Sequence, residues 1–173
     1  MHFEVELGIV IGKTVKDLDP NDTKGALDCI DTYLMSIDMT GRNVQEEAKK
    51  KGYPWSIAKG YDTFLPIAGP ISKSTITDPH NVELYLKVNG DYKQQDNTEL
   101  MLFQIPRQLS DISRVMTLEK GDIVITGTPK GVGPVKTGDV MTCGMRINGK
   151  EIEEAKLEVA VEDRQGPYEY AET

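Results

Sequence analysis

The sequence predicts a mostly-β α+β domain, on three observations. Apolar and polar residues alternate over several short runs, two Asn-Gly pairs sit where such runs would turn back, and helical spacing is confined to a few short stretches. At 173 residues the chain suits one domain, spanning 1–173, with a real core. Hydrophobic residues are 38% and charged residues 28%, a composition neither disordered nor membranous. No repeat, low-complexity tract or long linker divides it.

The chain opens on HFEVELGIVIG, residues 2–12, which reads as a strand. Phe3, Val5, Leu7 and Ile9 then face one side, and His2, Glu4, Glu6 and Gly8 the other. GKTVKDLDPNDTKG is a turn-rich connection, ALDCI predicts a short helix, and DTYLMSID a strand ending at Asp38. TGRNVQEEAKKKGYP predicts a helix with Thr40 as N-cap, three lysines in its last turn, Gly52 at C′ and Pro54 preventing continuation. NVELYLKVNGDYKQQ puts Val82, Leu84, Leu86 and Val88 on one strand face and turns at Asn89-Gly90; MTCGMRINGKEIEEAKLEVAVED repeats the device at Asn148-Gly149. Between them, IPRQLSDISRVMTLEKGD carries Ile105, Leu109, Ile112, Val115 and Met116 at helical spacing, with Pro106 suited to the first turn. DIVITG is a short apolar strand that runs directly into TPKGVG.

Several function classes are excluded or disfavoured. A net charge of −8 argues against a nucleic-acid partner, which needs a basic face. No apolar run approaches the roughly 20 residues that span a bilayer, so no membrane partner is expected. Cys29 and Cys143 are the only cysteines and have no CxxC spacing, which argues against a disulfide framework and fits a reducing compartment. With only His2 and His80, a Ser-His-Asp or Cys-His apparatus has little to draw on. No signal or transit peptide is visible ahead of the first strand.

Three groups of residues could carry chemistry. Glu4 and Glu6 stand at i and i+2 on a strand, and Asp38 ends another. Such a trio can form one face of the oxygen octahedron that Mg²⁺ prefers, although alternating glutamates on a half-exposed strand can equally be a solvated face. Arg42 and Gln45, three apart on a helix, share a face near Asp38, and Lys59 lies in the mainly uncharged PWSIAKGYDTF. GTPKGVG, residues 127–133, follows neither the Walker nor the GxGxxG pattern. It is either a plain glycine-rich turn or a strand-end loop whose hydroxyls and amides meet a substrate carboxylate.

Together EVELGIVIG, IDMTGRNVQEEAKKKGYPWSIAKGYDTFLP, VNGDYKQ and LEKGDIVITGTPKGVGPVKTGD resemble the fumarylacetoacetate hydrolase family. The likeness is greatest to its small single-domain mitochondrial members, described as acylpyruvases, oxaloacetate decarboxylases and oxaloacetate tautomerases. It runs from about Glu4 to about Gly144. It implies a mixed β-sandwich roll, a homodimer, and Mg²⁺ or Mn²⁺ held by Glu4, Glu6 and Asp38. It also implies Lys59 as a substrate- and enolate-binding residue, Arg42 and Gln45 at the cleft, and Thr128 against the carboxylate of a small 2-oxo acid. The implied chemistry is 3-acylpyruvate C–C hydrolysis, oxaloacetate decarboxylation or keto–enol exchange, in a mitochondrial or cytoplasmic setting. Two departures stand out: the family's Arg-Asp pair reads Arg42-Asn43, and the chain opens at the metal strand without the segment that carries the family's water-activating His and Glu. A non-catalytic domain binding 2-oxo acids or metal, and a structural β-domain, stay open as rival readings.

Overall fold

The computed structural model describes residues 1–171, and strands dominate it. The expected opening strand is interrupted at Glu4 into β1 (His2–Phe3) and β2 (Val5–Ile11). Helix α1 (Thr23–Asp28) starts earlier than the apolar spacing suggests, because the Asp22 carboxylate accepts the Gly25 N–H and caps it, and Ile30 already belongs to β3 (Ile30–Ile37). Helices α2 (Arg42–Lys51) and α3 (Ser56–Lys59) follow. Gly52 closes α2 with φ 69°, as expected, but its N-cap is Gly41 and not Thr40. The Thr40 hydroxyl is committed elsewhere, to Glu4.

Strands β4 (Ile67–Ser72), β5 (Glu83–Val88) and β6 (Asp91–Asn97) precede α4 (Ile105–Val115). After it come β7 (Ile123–Ile125), β8 (Gly133–Pro134), β9 (Val140–Ile147), β10 (Lys150–Glu151) and β11 (Leu157–Ala160). Both Asn-Gly pairs turn hairpins with positive φ, 51° and 89° at Asn89-Gly90, 52° and 76° at Asn148-Gly149.

The strands form an antiparallel four-stranded sheet, β4-β3-β2-β7, and a five-stranded sheet, β10-β9-β5-β6 with β11 also on β9. One core joins them: Val5, Leu7, Ile9, Met35 and Ile37 from the first sheet and Leu84, Leu86, Cys143 and Met145 from the second. Ile105 and Leu109 seat α4 on that core, whereas Val115 and Met116 are exposed. The apolar spacing therefore overstates the buried face at the C-terminal end of α4, where Ile112 and Ser113 still pack inward and Val115 does not. Among the described residues no helix is long and apolar enough to cross a membrane.

Candidate metal and substrate site

Strand register assembles the acidic trio. Val5 lies opposite Ile37 and Glu6 opposite Ser36, and beyond β2 the pairing continues through Asp38 N–H to the Glu4 carbonyl and a His2–Thr40 bridge. Glu4 and Asp38 are thus directly opposed, and directly opposed residues point to the same side of a sheet. Glu4, Glu6 and Asp38 consequently share one face, with ligand atoms all within 4.8 Å of one another.

The electrostatics of that face are strained. Glu6 is only 4% exposed, and burial, with Asp38 and Glu4 adding to it, pushes its carboxyl up to about 7 against an opposing hydrogen bond from the Gly127 N–H at 2.6 Å. Burial also raises Asp38, opposed by the ammonium of Lys59. Lys59 comes from the end of α3, whose Ala58 carbonyl accepts the Gly41 N–H. Its Nζ stands 2.5 Å from Asp38 Oδ2 and 3.1 Å from Glu4 Oε1, while Thr40 Oγ1 donates to the same Glu4 oxygen at 2.6 Å.

The glycine loop reaches this face as an extension of β7. Thr126 N–H and Oγ1 both donate to the Leu7 carbonyl, Gly127 donates to Glu6, and Thr128 Oγ1 donates to the Val5 carbonyl at 2.8 Å. Thr128 is therefore beside the acidic trio, with its hydroxyl donated to the main chain of β2. Arg42 and Gln45 sit near the start of α2. Gln45 is buried, but the Arg42 guanidinium is partly exposed, pairs with Glu46 at 3.2 Å along its own helix, and also stands close enough to His2 on β1 to help lower its imidazole.

Three contributors are not singled out by the sequence pattern. Thr40 reads as a helix cap but serves Glu4. Gln108 on α4 donates to the Thr126 carbonyl at 3.1 Å. Gln94 on β6 accepts the Val5 N–H and donates to Thr128 and Pro129. Alternation along KQQD hints that one glutamine faces in, but nothing local says what it meets.

The donor set is three carboxylates and no nitrogen or sulfur, a choice that suits a hard divalent cation such as Mg²⁺ or Mn²⁺. The Lys59 ammonium against two of the three carboxylates shows a face that accommodates positive charge.

Comparison with known proteins agrees in fold and family. A family model, the fumarylacetoacetate (FAA) hydrolase C-terminal domain, matches residues 1–160. The mitochondrial oxaloacetate tautomerase oaa1 of Schizosaccharomyces pombe is 49% identical over 93% of this chain and 73% of its own length. The mitochondrial oxaloacetate decarboxylase of Dictyostelium discoideum is 52% identical over 84% of the chain and 65% of its length; for the human mitochondrial oxaloacetate tautomerase FAHD1 the figures are 45%, 84% and 64%. The chain thus spans roughly two thirds of the curated relatives it matches. Among solved structures, yeast ynq8, a fumarylacetoacetate hydrolase family protein, superposes with a TM-score of 0.93 at 38% identity, over 99% of this chain and 71% of that one. Fumarylpyruvate hydrolase from Pseudomonas aeruginosa, in complex with Mn²⁺ and pyruvate, gives 0.84 at 31% identity over 93% of this chain and 65% of its own.

Proposed function

The chain belongs to the fumarylacetoacetate hydrolase family, and from that premise we propose that it is a divalent-metal-dependent enzyme acting on short 2-oxo acids, with keto–enol exchange of oxaloacetate as its reaction. The observation that carries the proposal is the clustering of Glu4, Glu6 and Asp38 within 4.8 Å, with the Lys59 ammonium against two of them. Relatives at 45 to 52% identity are named for oxaloacetate chemistry, and a solved relative binds Mn²⁺ together with a 2-oxo acid.

In this reading Glu4, Glu6 and Asp38 would hold Mg²⁺ or Mn²⁺, which when bound would supply Lewis acidity that stabilises an enolate and so lowers the cost of deprotonating the adjacent C–H. Lys59 brings fixed positive charge to where enolate charge develops, and the Asp38 and Glu4 carboxylates keep its Nζ in place before the substrate arrives. The Gly127–Thr128 turn faces the substrate carboxylate, with Glu6 anchoring it through the Gly127 N–H. Gln45 lines the cleft from α2, and Arg42 joins it by exchanging Glu46 for the substrate. The mitochondrial names of the relatives support a mitochondrial location, and we further read the protein as a homodimer, to which the exposed Leu100, Leu102 and Phe103 offer an apolar face.

The test follows decay of the oxaloacetate enol absorbance with Mn²⁺ present. The parent protein should accelerate it, and Lys59→Met should lose about 100-fold of that acceleration, the scale of one lost electrostatic donor. Oxalate binding by calorimetry with no acceleration would make the chain a binding domain and overturn the proposal.

A further inference from the structure

Gln94 is 1% exposed on β6, a strand whose Tyr92, Lys93 and Gln95 face water. It reaches out of the five-stranded sheet to β2 of the other, a partner 89 residues away in sequence. Val5 has its N–H and C=O turned away from β3, because Glu4 and Glu6 on either side of it take the bonds with that strand. The neighbour on the open side, β7, has already ended at Ile125. Two side chains replace the missing strand. Gln94 Oε1 accepts the Val5 N–H at 2.9 Å and Thr128 Oγ1 donates to the Val5 carbonyl at 2.8 Å.

Chemistry fixes every proton in this arrangement. The Val5 N–H can only donate, so the amide oxygen of Gln94 must face it; the Pro129 carbonyl can only accept, so the amide nitrogen must face that, at 2.7 Å. The second proton of that nitrogen goes to Thr128 Oγ1 at 2.8 Å, which leaves the hydroxyl proton for the Val5 carbonyl. The bonds close a ring that starts and ends on Val5, the residue between the two glutamates. Such a ring is mutually polarising and leaves the hydroxyl no rotational freedom. The loop also lies directly on β6: a Cβ at Gly131 would fall 2.1 Å from the Lys93 carbonyl oxygen.

We propose that Gln94 is a positioning residue of the site: through the Thr128 hydroxyl it sets the spacing between the acidic strand and the loop that receives the substrate carboxylate. This rests on the functional reading above. Gln94 touches neither substrate nor ion. It holds the two halves of the site in register, so its loss loosens substrate binding and leaves ion binding intact.

The test is a double-mutant cycle on the full chain with Gln94→Met, close in size and unable to hydrogen-bond, and Thr128→Val. Gln94→Met should raise KM for oxaloacetate and the Kd for oxalate about tenfold, the scale of a lost hydrogen-bonded ring, while Mn²⁺ affinity measured by electron paramagnetic resonance changes less than about threefold. In the Thr128→Val background the same change should add less than about twofold, because its route is already cut. Unchanged KM with a lowered Tm, or independent losses that multiply, overturns the proposal and makes Gln94 a scaffold residue. If Gln94→Met does not fold, Gln94→Glu carries the same cycle, since it keeps the acceptor for Val5 and loses the donors. Failure of the functional reading shows already in the parent protein, as absence of both turnover and oxalate binding. Failure of this one shows only in the variants.

Discussion

Replacing Asp38 with alanine should leave the metal-free protein about as stable as the parent and abolish its stabilisation by a divalent cation. The carboxylates of Glu4, Glu6 and Asp38 bring ligand atoms within 4.8 Å of one another. At an effective dielectric constant of about 20, two full charges at that distance repel by about 3.5 kcal/mol. Asp38 takes part in one such repulsion with Glu4, a smaller one with Glu6, whose carboxyl at about 7 is partly protonated at neutral pH, and one attraction, to Lys59 at 2.5 Å. Water reduces all three, since the Asp38 and Lys59 side chains remain 14% and 25% exposed. Lys59 also keeps Glu4 at 3.1 Å, so the substitution orphans no charge. Opposed terms of similar size leave a net change within about 1 kcal/mol.

The metal-loaded comparison has no such cancellation. A cation at about 100 times its dissociation constant stabilises the folded state by about 2.7 kcal/mol. For a chain of this size that is about 5 to 10 °C in Tm. Asp38→Ala removes one of the three proposed ligand carboxylates, and at the same Mn²⁺ concentration the shift should fall below about 2 °C. Calorimetry of chelator-treated protein titrated with Mn²⁺ reads both quantities. Equal shifts in parent and variant would refute the metal assignment. A large loss of metal-free stability would mean that Asp38 exists to hold Lys59.

Gly131→Ala should destabilise the fold by about 2 to 4 kcal/mol, from a φ of 102° that disfavours any Cβ and from contact with the Lys93 carbonyl; urea denaturation with an unchanged midpoint would contradict it. His80 Nε2 accepts the Ile105 N–H at the start of α4, and burial holds the imidazole below its ordinary 6.5, with Asp78 opposing. A depressed folded pKa makes this a contribution present above 6.5 and lost as pH falls below it. Glu6, pushed up to about 7, works in the opposite sense over the same range. Denaturation at pH 7.5 and pH 5 should therefore show the parent gaining less or losing more stability toward acid than His80→Asn, and equal slopes would exclude His80 as a source.

Legibility in the sequence tracks how local the cause is. The two Asn-Gly hairpins are readable because positive φ at adjacent residues is a demand on those residues alone. That Glu4 and Glu6 share a face follows from the period of a strand. Whether that face is wet depends on Asp38 standing opposite Glu4, and pairing register across more than thirty residues decides that. Thr40 misleads for the same reason: a hydroxyl ahead of a helix fits a cap, but Glu4 offers a charged acceptor that the local sequence does not reveal. Gln94 is the extreme case, with its partners 89, 34 and 35 residues away.

The way β7 ends explains why a binding loop forms here at all. In a regular strand past Ile125, each N–H directed at β2 would be consumed by the ladder. Here the side chains of Thr126 and Thr128 supply donors to the Leu7 and Val5 carbonyls, and Gln94 supplies the acceptor for Val5. The loop is held to β2 as closely as a strand would be, yet the main chain at Thr128 is released from carrying the pairing. Gly127, opposite Glu6 where a ladder would make no bond to β2, turns its N–H at φ 98° onto the Glu6 side chain. A cation that takes the Glu6 carboxylate competes with that bond, so ion binding on one side and the donor set of the loop on the other are coupled through Glu6. Substituting Gly127 with alanine would strain the positive φ and weaken the loop's bond to Glu6, releasing that carboxylate to the cation at the loop's expense.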